Sequence, residues 1–379
     1  MTAVEDDIRV IETAPVPARY ARGWHCLGLA EPFADGQPHK ISAFGEQLVV
    51  FAGADGNLNV LDAFCRHMGG DLSQGTVKGN EIACPFHDWR WGGDGRCKAI
   101  PYARRIPPRA RTATWPTMIR NGMLFVWNDP EGNQPLAEVT IPEIAAHADP
   151  TFTDWLWYTT TIDGANCREI IDNVVDMAHF FYVHFSFPTY FKNVFEGHVA
   201  TQYMTGTGRD DIGRRPPGDS LTVLGTSSVA SYHGPSFMID ELVYHYSDDV
   251  DVPAVLINCH YPVGPDSFVL QYGITVKKLA GLSDAEALAM ARKMGDFIRV
   301  GFEQDVAIWK RKRRIDNPLL CEEDGPVYQL RRWYEQFYVD AADVTPEMTD
   351  RFEFEIDTTR PREAWQSEVD ANLAARASR

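Results

Sequence analysis

Two short segments constrain this chain more than anything else in it: Cys65-Arg66-His67 and, sixteen residues on, Cys84-Pro85-Phe86-His87. Each supplies one thiol and one imidazole. Two Cys and two His can build a tetrahedral zinc site. Zinc fingers, however, usually present their cysteines together and their histidines together. One of each per loop suits a two-iron cluster in which one iron takes two thiolates and the other two imidazoles. Zinc and coincidence are the competing accounts. Gly69-Gly70 after the first pair lets backbone amides come close to the sulfurs.

The surroundings predict a small antiparallel β unit from about Trp24 to Trp127, with each metal-binding pair at the tip of a hairpin. Turn signals fall at Ala54–Asn57, at Gly92–Gly95 and at Asn121-Gly122. Asp129 to Glu143 is turn-rich and reads as a linker. Beyond it, TDWLWYTTTID alternates like a strand. Further strand candidates run from about Gly218 to Lys278, among them AVLINCHYPV and SFVLQYGITVKK. The segment from Ser283 to Arg314 reads as a long helix, with Ser283 and Glu286 spaced as a capping box. The second unit is therefore expected to be α+β with an antiparallel sheet. No internal repeat is present, and the last nineteen residues read as a peripheral tail or frayed helix.

A buried helix is predicted over REIIDNVVDMAHFFYVHF, from Arg168 to Phe185. Asp172, Asp176, His179 and Val183 follow steps of four, three and four, and so share one helical face. Polar groups in such a stripe must be paired or bind metal. His184 misses the stripe, because five residues place it about 140° from His179. For both imidazoles to reach one ion, the helix must widen, end or contain a π-bulge. Pro188 would help to stop it. The plain alternative is two core histidines, each satisfied by a carbonyl. Two imidazoles and one carboxylate form the facial triad of non-haem Fe(II) oxygenases, with positions left open for dioxygen. In the long helix, Ile298, Phe302, Val306 and Trp309 form the apolar stripe. Asp305 falls inside that stripe and Asp296 lies about 180° from it, so Asp305 is the candidate third ligand. Its alternative is a buried Asp that caps a loop or pairs with an arginine.

The formal net charge of −17 argues against a sequence-independent grip on nucleic acid. The N-terminus is acidic and lacks an apolar signal region. No window approaches the roughly 18 consecutive apolar residues of a membrane helix. Seven scattered cysteines do not make a disulfide framework, and the simplest compartment is the cytosol.

Taken together, C-x-H…C-x-x-H, then D-x-x-H-x4-H and a distant Asp, resemble the oxygenase components of Rieske non-haem iron oxygenases. The closer resemblance is to bacterial 3-ketosteroid 9α-hydroxylase oxygenase components. It is carried by Asn166–Ala200, Val255–Val263 and Asn317–Asp340, and it weakens between about Thr205 and Asp251. The resemblance implies an α+β fold: an N-terminal antiparallel Rieske [2Fe–2S] domain over 20–135, then a helix-grip-like catalytic domain over 136–379 on which 1–19 pack. Cys65, His67, Cys84 and His87 would hold the cluster. His179, His184 and Asp305 would hold the mononuclear iron, with Asn173 a less certain neighbour or ligand and Asn258 close by. Asp176 would bridge an iron-ligating His to His87 of another subunit in a ring-like homotrimer.

The implied reaction is O2-dependent 9α-hydroxylation of a 3-ketosteroid in steroid catabolism, fed by a separate NADH-dependent reductase carrying flavin and an iron–sulfur cluster. Respiratory Rieske proteins carry an extra disulfide at what are here Gly70 and Phe86. Its absence points to a low cluster potential, near roughly −150 mV. Phe180, Phe181, Tyr182, Phe185, Phe187, Tyr190 and Phe191 suit an apolar substrate or plain core. Arg90, Arg96, Lys98, Arg104 and Arg105 could receive an acidic donor protein. A dioxygenase or demethylase of other specificity, and a Rieske electron carrier, are the rival readings.

Overall fold

The computed structural model describes residues 10–212, 223–247 and 250–378. Part of the region from Gly218 read above as strand lies outside them, as do residues 1–9. The N-terminal unit is three small antiparallel sheets built from short strands. Gly23–Leu29, Met123–Asn128 and Thr117–Arg120 make the first; His39–Ala43, Glu46–Ala52, Leu58–Asp62 and Thr114–Trp115 make the second. Thr76–Lys78, Glu81–Ala83, Arg90–Gly92 and Cys97–Ala99 make the third. The Asn121-Gly122 turn has φ of 54° and 75°, the left-handed geometry that a two-residue hairpin demands.

Only one metal-binding pair sits at a true hairpin tip. Cys84–His87 joins Glu81–Ala83 to Arg90–Gly92 within one sheet. Cys65–His67 instead lies where the chain leaves the second sheet for the third. That loop is closed by a Phe64–Asp71 bridge and by the Cys65 N–H donating to Gly70 O at 2.8 Å. The flanking strands pair with other partners, so the expected hairpin cannot form there.

The C-terminal unit is one eight-stranded antiparallel sheet. Its strands are β1 (Leu156–Asp163), β2 (Ser186–Glu196), β3 (Val199–Gly208), β4 (Gly225–His233), β5 (Phe237–Ser247), β6 (Val250–Gly264), β7 (Ser267–Val276) and β8 (Phe352–Glu355). The spatial order is β1-β7-β6-β5-β4-β3-β2-β8. Helix α2 (Asp284–Trp309) covers it, started by the Ser283–Glu286 capping box. The stripe Ile298, Phe302, Val306 and Trp309 is buried against the sheet, and each such side chain contributes roughly 1.5–3 kcal/mol. Phe302 packs 4.7 Å from Tyr272 of β7.

The helix expected over Arg168–Phe185 is not continuous. Cys167–Glu169 and Ile171–Val175 are short 3-10 turns, and Asp176 is extended at φ −91°, ψ 103°. Only Ala178–Tyr182, here α1, is α-helical. The polar residues belong to different partners, so no shared stripe survives. Asp172 pairs with Arg331 at 2.7 Å and Lys312 at 3.3 Å. The last stretch, read above as a peripheral tail or frayed helix, is helical and mostly exposed. Thr359–Ala377 forms a helix, α4, because Trp365 and Val369 bury one face beside α1, with Trp365 stacked 4.9 Å from Phe181. Helix α3 (Val327–Glu335) supplies Arg331.

The two units share a buried seam in which Gly23–Leu29 lies against β6. His25 and His260 sit in it, at 1% and 0% exposure. Burial pushes their pKa values down to about 4 and about 3. Both are neutral when folded, whereas the unfolded chain takes up protons below about 6.5. Stability is therefore fully present above pH 6.5 and falls with acidity, by up to ~1.4 kcal/mol per pH unit for each ring, until the folded values are reached. Urea midpoints measured from pH 7 to pH 4.5 should fall less steeply in His260→Gln than in the wild type, by about one proton's worth of slope.

Candidate metal centres and substrate cavity

The Cys65 and Cys84 thiols are buried, at 2% and 4% exposure, and the His67 and His87 rings sit 4.7 Å apart. Trp91, wholly buried, donates its indole N–H to Cys65 Sγ at 3.3 Å. His67 stacks on Trp89 at 4.5 Å. Burial raises the Cys65 pKa, so holding it as thiolate requires a cation. His87 Nδ1 is buried without a hydrogen-bond partner among the described residues. An orphaned ring nitrogen beside two buried thiols fits a thiolate–imidazole iron–sulfur cluster. A Cβ at Gly70 would fall 2.7 Å from Cys84 Sγ, so the loop admits no side chain there.

The second constellation depends on how α1 ends. Both the Val183 and His184 N–H groups donate to the His179 carbonyl, at 2.7 and 3.3 Å. The second is a five-residue, π-type turn, and Phe185 then takes φ 54°. Widening the last turn in this way brings together two rings that a regular helix would hold apart. One ligand atom from each of His179, His184 and Asp305 lies within 4.8 Å of the others. His184 Nε2 is 3.1 Å from Asp305 Oδ2, and Asp305 is 6% exposed on the inner face of α2. Its only ion-pair partner among the described residues is His184; no arginine approaches it. His179 Nδ1 donates to the Asp176 main-chain carbonyl at 2.6 Å, which leaves Nε2 for an ion. Two imidazoles and a carboxylate so arranged fit non-haem iron.

The Asp176 carboxylate is placed differently from a simple partner of the ring. It accepts the His179 backbone N–H at 3.2 Å, and its side chain is 49% exposed. Among the described residues of one chain, no hydrogen bond joins it to His87. Asn173 lines the cavity, with Oδ1 accepting from the Trp309 indole at 3.2 Å. Asn258 lies in the cavity wall at 3% exposure, and its Oδ1 has no partner.

The triad opens on a mostly apolar cavity of about 260 Å³, walled by the concave face of β3–β6 and by α2. Met204, Leu242, Leu256, Phe297 and Phe302 supply much of the wall. Of the aromatic residues near α1, Phe180 and Phe185 line the cavity, whereas Phe181, Phe187 and Phe191 are core under α4. Tyr182 and Tyr190 are exposed. Sequence reasoning missed Gln202, Ser228 and Asp240, three buried polar residues of this wall. The signal was available: Met238, Asp240, Leu242 and Tyr244 alternate along β5 and place a carboxyl among apolar neighbours. The basic patch is largely neutralised locally, since Arg90 pairs with Asp88, and Arg96 and Lys98 pair with Asp94.

A family model described as "Rieske [2Fe-2S] domain" matches residues 23–116, and one described as "3-Ketosteroid 9alpha-hydroxylase C-terminal domain" matches 126–338. A Rhodococcus rhodochrous 3-ketosteroid-9-alpha-monooxygenase oxygenase component is 64% identical over 100% of this chain and 95% of its own. One from Mycolicibacterium smegmatis is 60% identical (98% and 96% covered), and one from Mycobacterium tuberculosis 58% (97% and 95%). Solved structures of similar fold include Pseudomonas putida NdmA with caffeine, at TM-score 0.66 and 19% identity over 89% of this chain and 97% of that one. Dicamba monooxygenase with non-haem iron and dicamba has TM-score 0.63 and 17% identity over 86% and 99%.

Gly70→Ala should lose most of the cluster's visible absorbance while retaining mononuclear iron, as read by iron content before and after selective chelation. Trp91→Phe removes a hydrogen bond to sulfur and should keep the cluster but lower its reduction potential, measured by spectroelectrochemical titration.

Proposed function

Because this chain belongs to the oxygenase components of 3-ketosteroid-9-alpha-monooxygenases, we propose that it hydroxylates 3-ketosteroids at C9 with His179, His184 and Asp305 as its iron ligands. It is a Rieske-type monooxygenase that uses a [2Fe–2S] cluster, non-haem iron and dioxygen. The observation that carries the ligand assignment is the convergence of those three side chains on the wall of an apolar cavity. Cys65, His67, Cys84 and His87 are the proposed cluster ligands. The overall balance is R–H + O2 + 2e− + 2H+ → R–OH + H2O, with the electrons supplied by a reductase component.

When bound, the iron activates dioxygen with electrons passed on by the cluster. The chain's own residues do the rest. The Asp176 carbonyl fixes the His179 ring, and Asp305 rides on a helix anchored by its apolar stripe. The cavity wall excludes water and takes up a hydrophobic ring system. The half-exposed Asp176 carboxylate is positioned to accept a hydrogen bond from His87 of a neighbouring subunit. The assembly that this reading assigns is a homotrimer in which the cluster of one chain serves the iron of the next. The exposed Met68, Phe86 and Tyr102 near the cluster loops offer an apolar rim for that contact or for the reductase. We assign the electron source to an NADH-dependent flavin and iron–sulfur reductase. We place the protein in the cytosol, where buried free cysteines stay reduced. Among the described residues no helix is long and apolar enough to cross a membrane.

Reconstitution with reductase and labelled dioxygen should yield a 9-hydroxysteroid carrying one labelled oxygen; a different product would reject the assignment. Asp305→Ala should lose the mononuclear iron yet keep the cluster spectrum. Asp176→Ala should retain both centres and slow single-turnover oxidation of the reduced cluster by roughly ten- to a hundredfold, the scale seen for lost partners of metal-bound histidine.

A further inference from the structure

One wall of the cavity carries polar groups that the triad does not use. Along β3, β4 and β5, Gln202, Ala230 and Asp240 stand side by side in register. Neighbouring strands lie about 4.8 Å apart. The small Ala230 therefore floors a notch with a polar side chain on either rim. Gln202 is 3% exposed and Asp240 9%. Ser228 Oγ donates to Asp240 Oδ1 at 2.7 Å. No hydrogen bond to another described residue is made by Asp240 Oδ2 or by the Gln202 amide.

The notch has a definite place along the cavity. Asn258 pairs with Tyr272, whose ring meets Phe302, one turn of α2 from Asp305. Asp240 pairs with Leu256, one side-chain repeat or about 6.7 Å further from the triad along the strands. Beyond it the Tyr244 and Phe297 rings meet edge to face, 6.1 Å apart. A rigid steroid with C9 presented to the triad has one end, the A ring or the D ring, directed along this axis.

We propose that the C3 ketone oxygen of the steroid lodges in this notch and accepts hydrogen bonds from Asp240 and Gln202. The inference rests on the 3-ketosteroid reading given above. Burial raises the Asp240 carboxyl pKa to about 7, so the neutral acid is available near neutrality. Because Oδ1 already accepts from Ser228, the acid proton belongs on Oδ2, the oxygen without a partner. The ring system does not bend, so holding the ketone fixes which carbon faces the metal. Asp240 and Gln202 thus set the regiochemistry without touching the reacting atoms.

The test measures equilibrium binding to the resting holoenzyme of a 4-ene-3-ketosteroid bare at C17 and of its 3-deoxy analogue. The wild type should prefer the ketone by roughly ten- to a hundredfold, the worth of one or two hydrogen bonds from buried donors. Asp240→Asn keeps a neutral donor on the same skeleton and should hold that preference to within about threefold. Asp240→Leu should abolish most of it while iron content, cluster spectrum and affinity for the 3-deoxy steroid stay unchanged. If Asp240→Leu does not fold, Gln202→Leu carries the same comparison. An undiminished preference in the leucine variant, or a wild-type preference that follows a C17 ketone instead, overturns the notch. Equal loss of both steroids in the Asn and Leu variants marks Asp240 as structural and also overturns it. A wild type that binds neither steroid rejects the functional reading itself.

Discussion

The His179 carbonyl accepts two backbone N–H groups, and the iron-binding geometry depends on that one bifurcated turn. With a regular four-residue ladder, His184 would point away from His179. The widened turn is held from several sides. Arg209, buried at 7% exposure, donates to the Phe181 carbonyl at 3.1 Å and lies 3.8 Å over the Phe181 ring. Asn193 donates to the Val174 carbonyl at 2.8 Å and pins the approach to α1. Phe185, a bulky residue at positive φ, is the local strain that these contacts offset.

Electrostatics around the site follow the same division. The charged groups near α1 are spent on structure rather than chemistry. Asp172 is locked between Arg331 and Lys312, and Glu169 lies within reach of Arg168 and Arg314. Lys312 and Arg314, just after α2, thus help to anchor the segment that leads to His179. Among the described residues, neither Asp305 nor the Asp176 carboxylate forms a direct ion pair with an Arg or Lys.

Much of this was legible in the sequence where chemistry is local. The proposed cluster ligands stand out by their spacing, and Asp305 by being a charge in an apolar stripe. The turn residues Asn121-Gly122 and the Ser283 cap carry their own geometry. What depended on tertiary partners was not legible. Arg168–Phe185 has helical periodicity, yet Asp172 and Asp176 are drawn to different neighbours and the helix breaks. Helix α4 shows little amphipathic pattern, because only Trp365 and Val369 are buried. The alternation along β5 marks Asp240 as a carboxyl among apolar neighbours, but nothing in a strand's own pattern shows that its inner face borders a void.

The clamp on α1 reaches the far end of the chain. Asp211, which grips Arg209 through both carboxylate oxygens, also accepts from Asn372 of α4 at 2.7 Å. The histidines are therefore synthesised long before the residues that close over them. The turn that sets the His179–His184 geometry is thus braced by residues more than 150 positions further along, and contacts of such long sequence separation form slowly. Packing of α4 is therefore coupled to the approach of His179 and His184, although the two lie far apart in sequence.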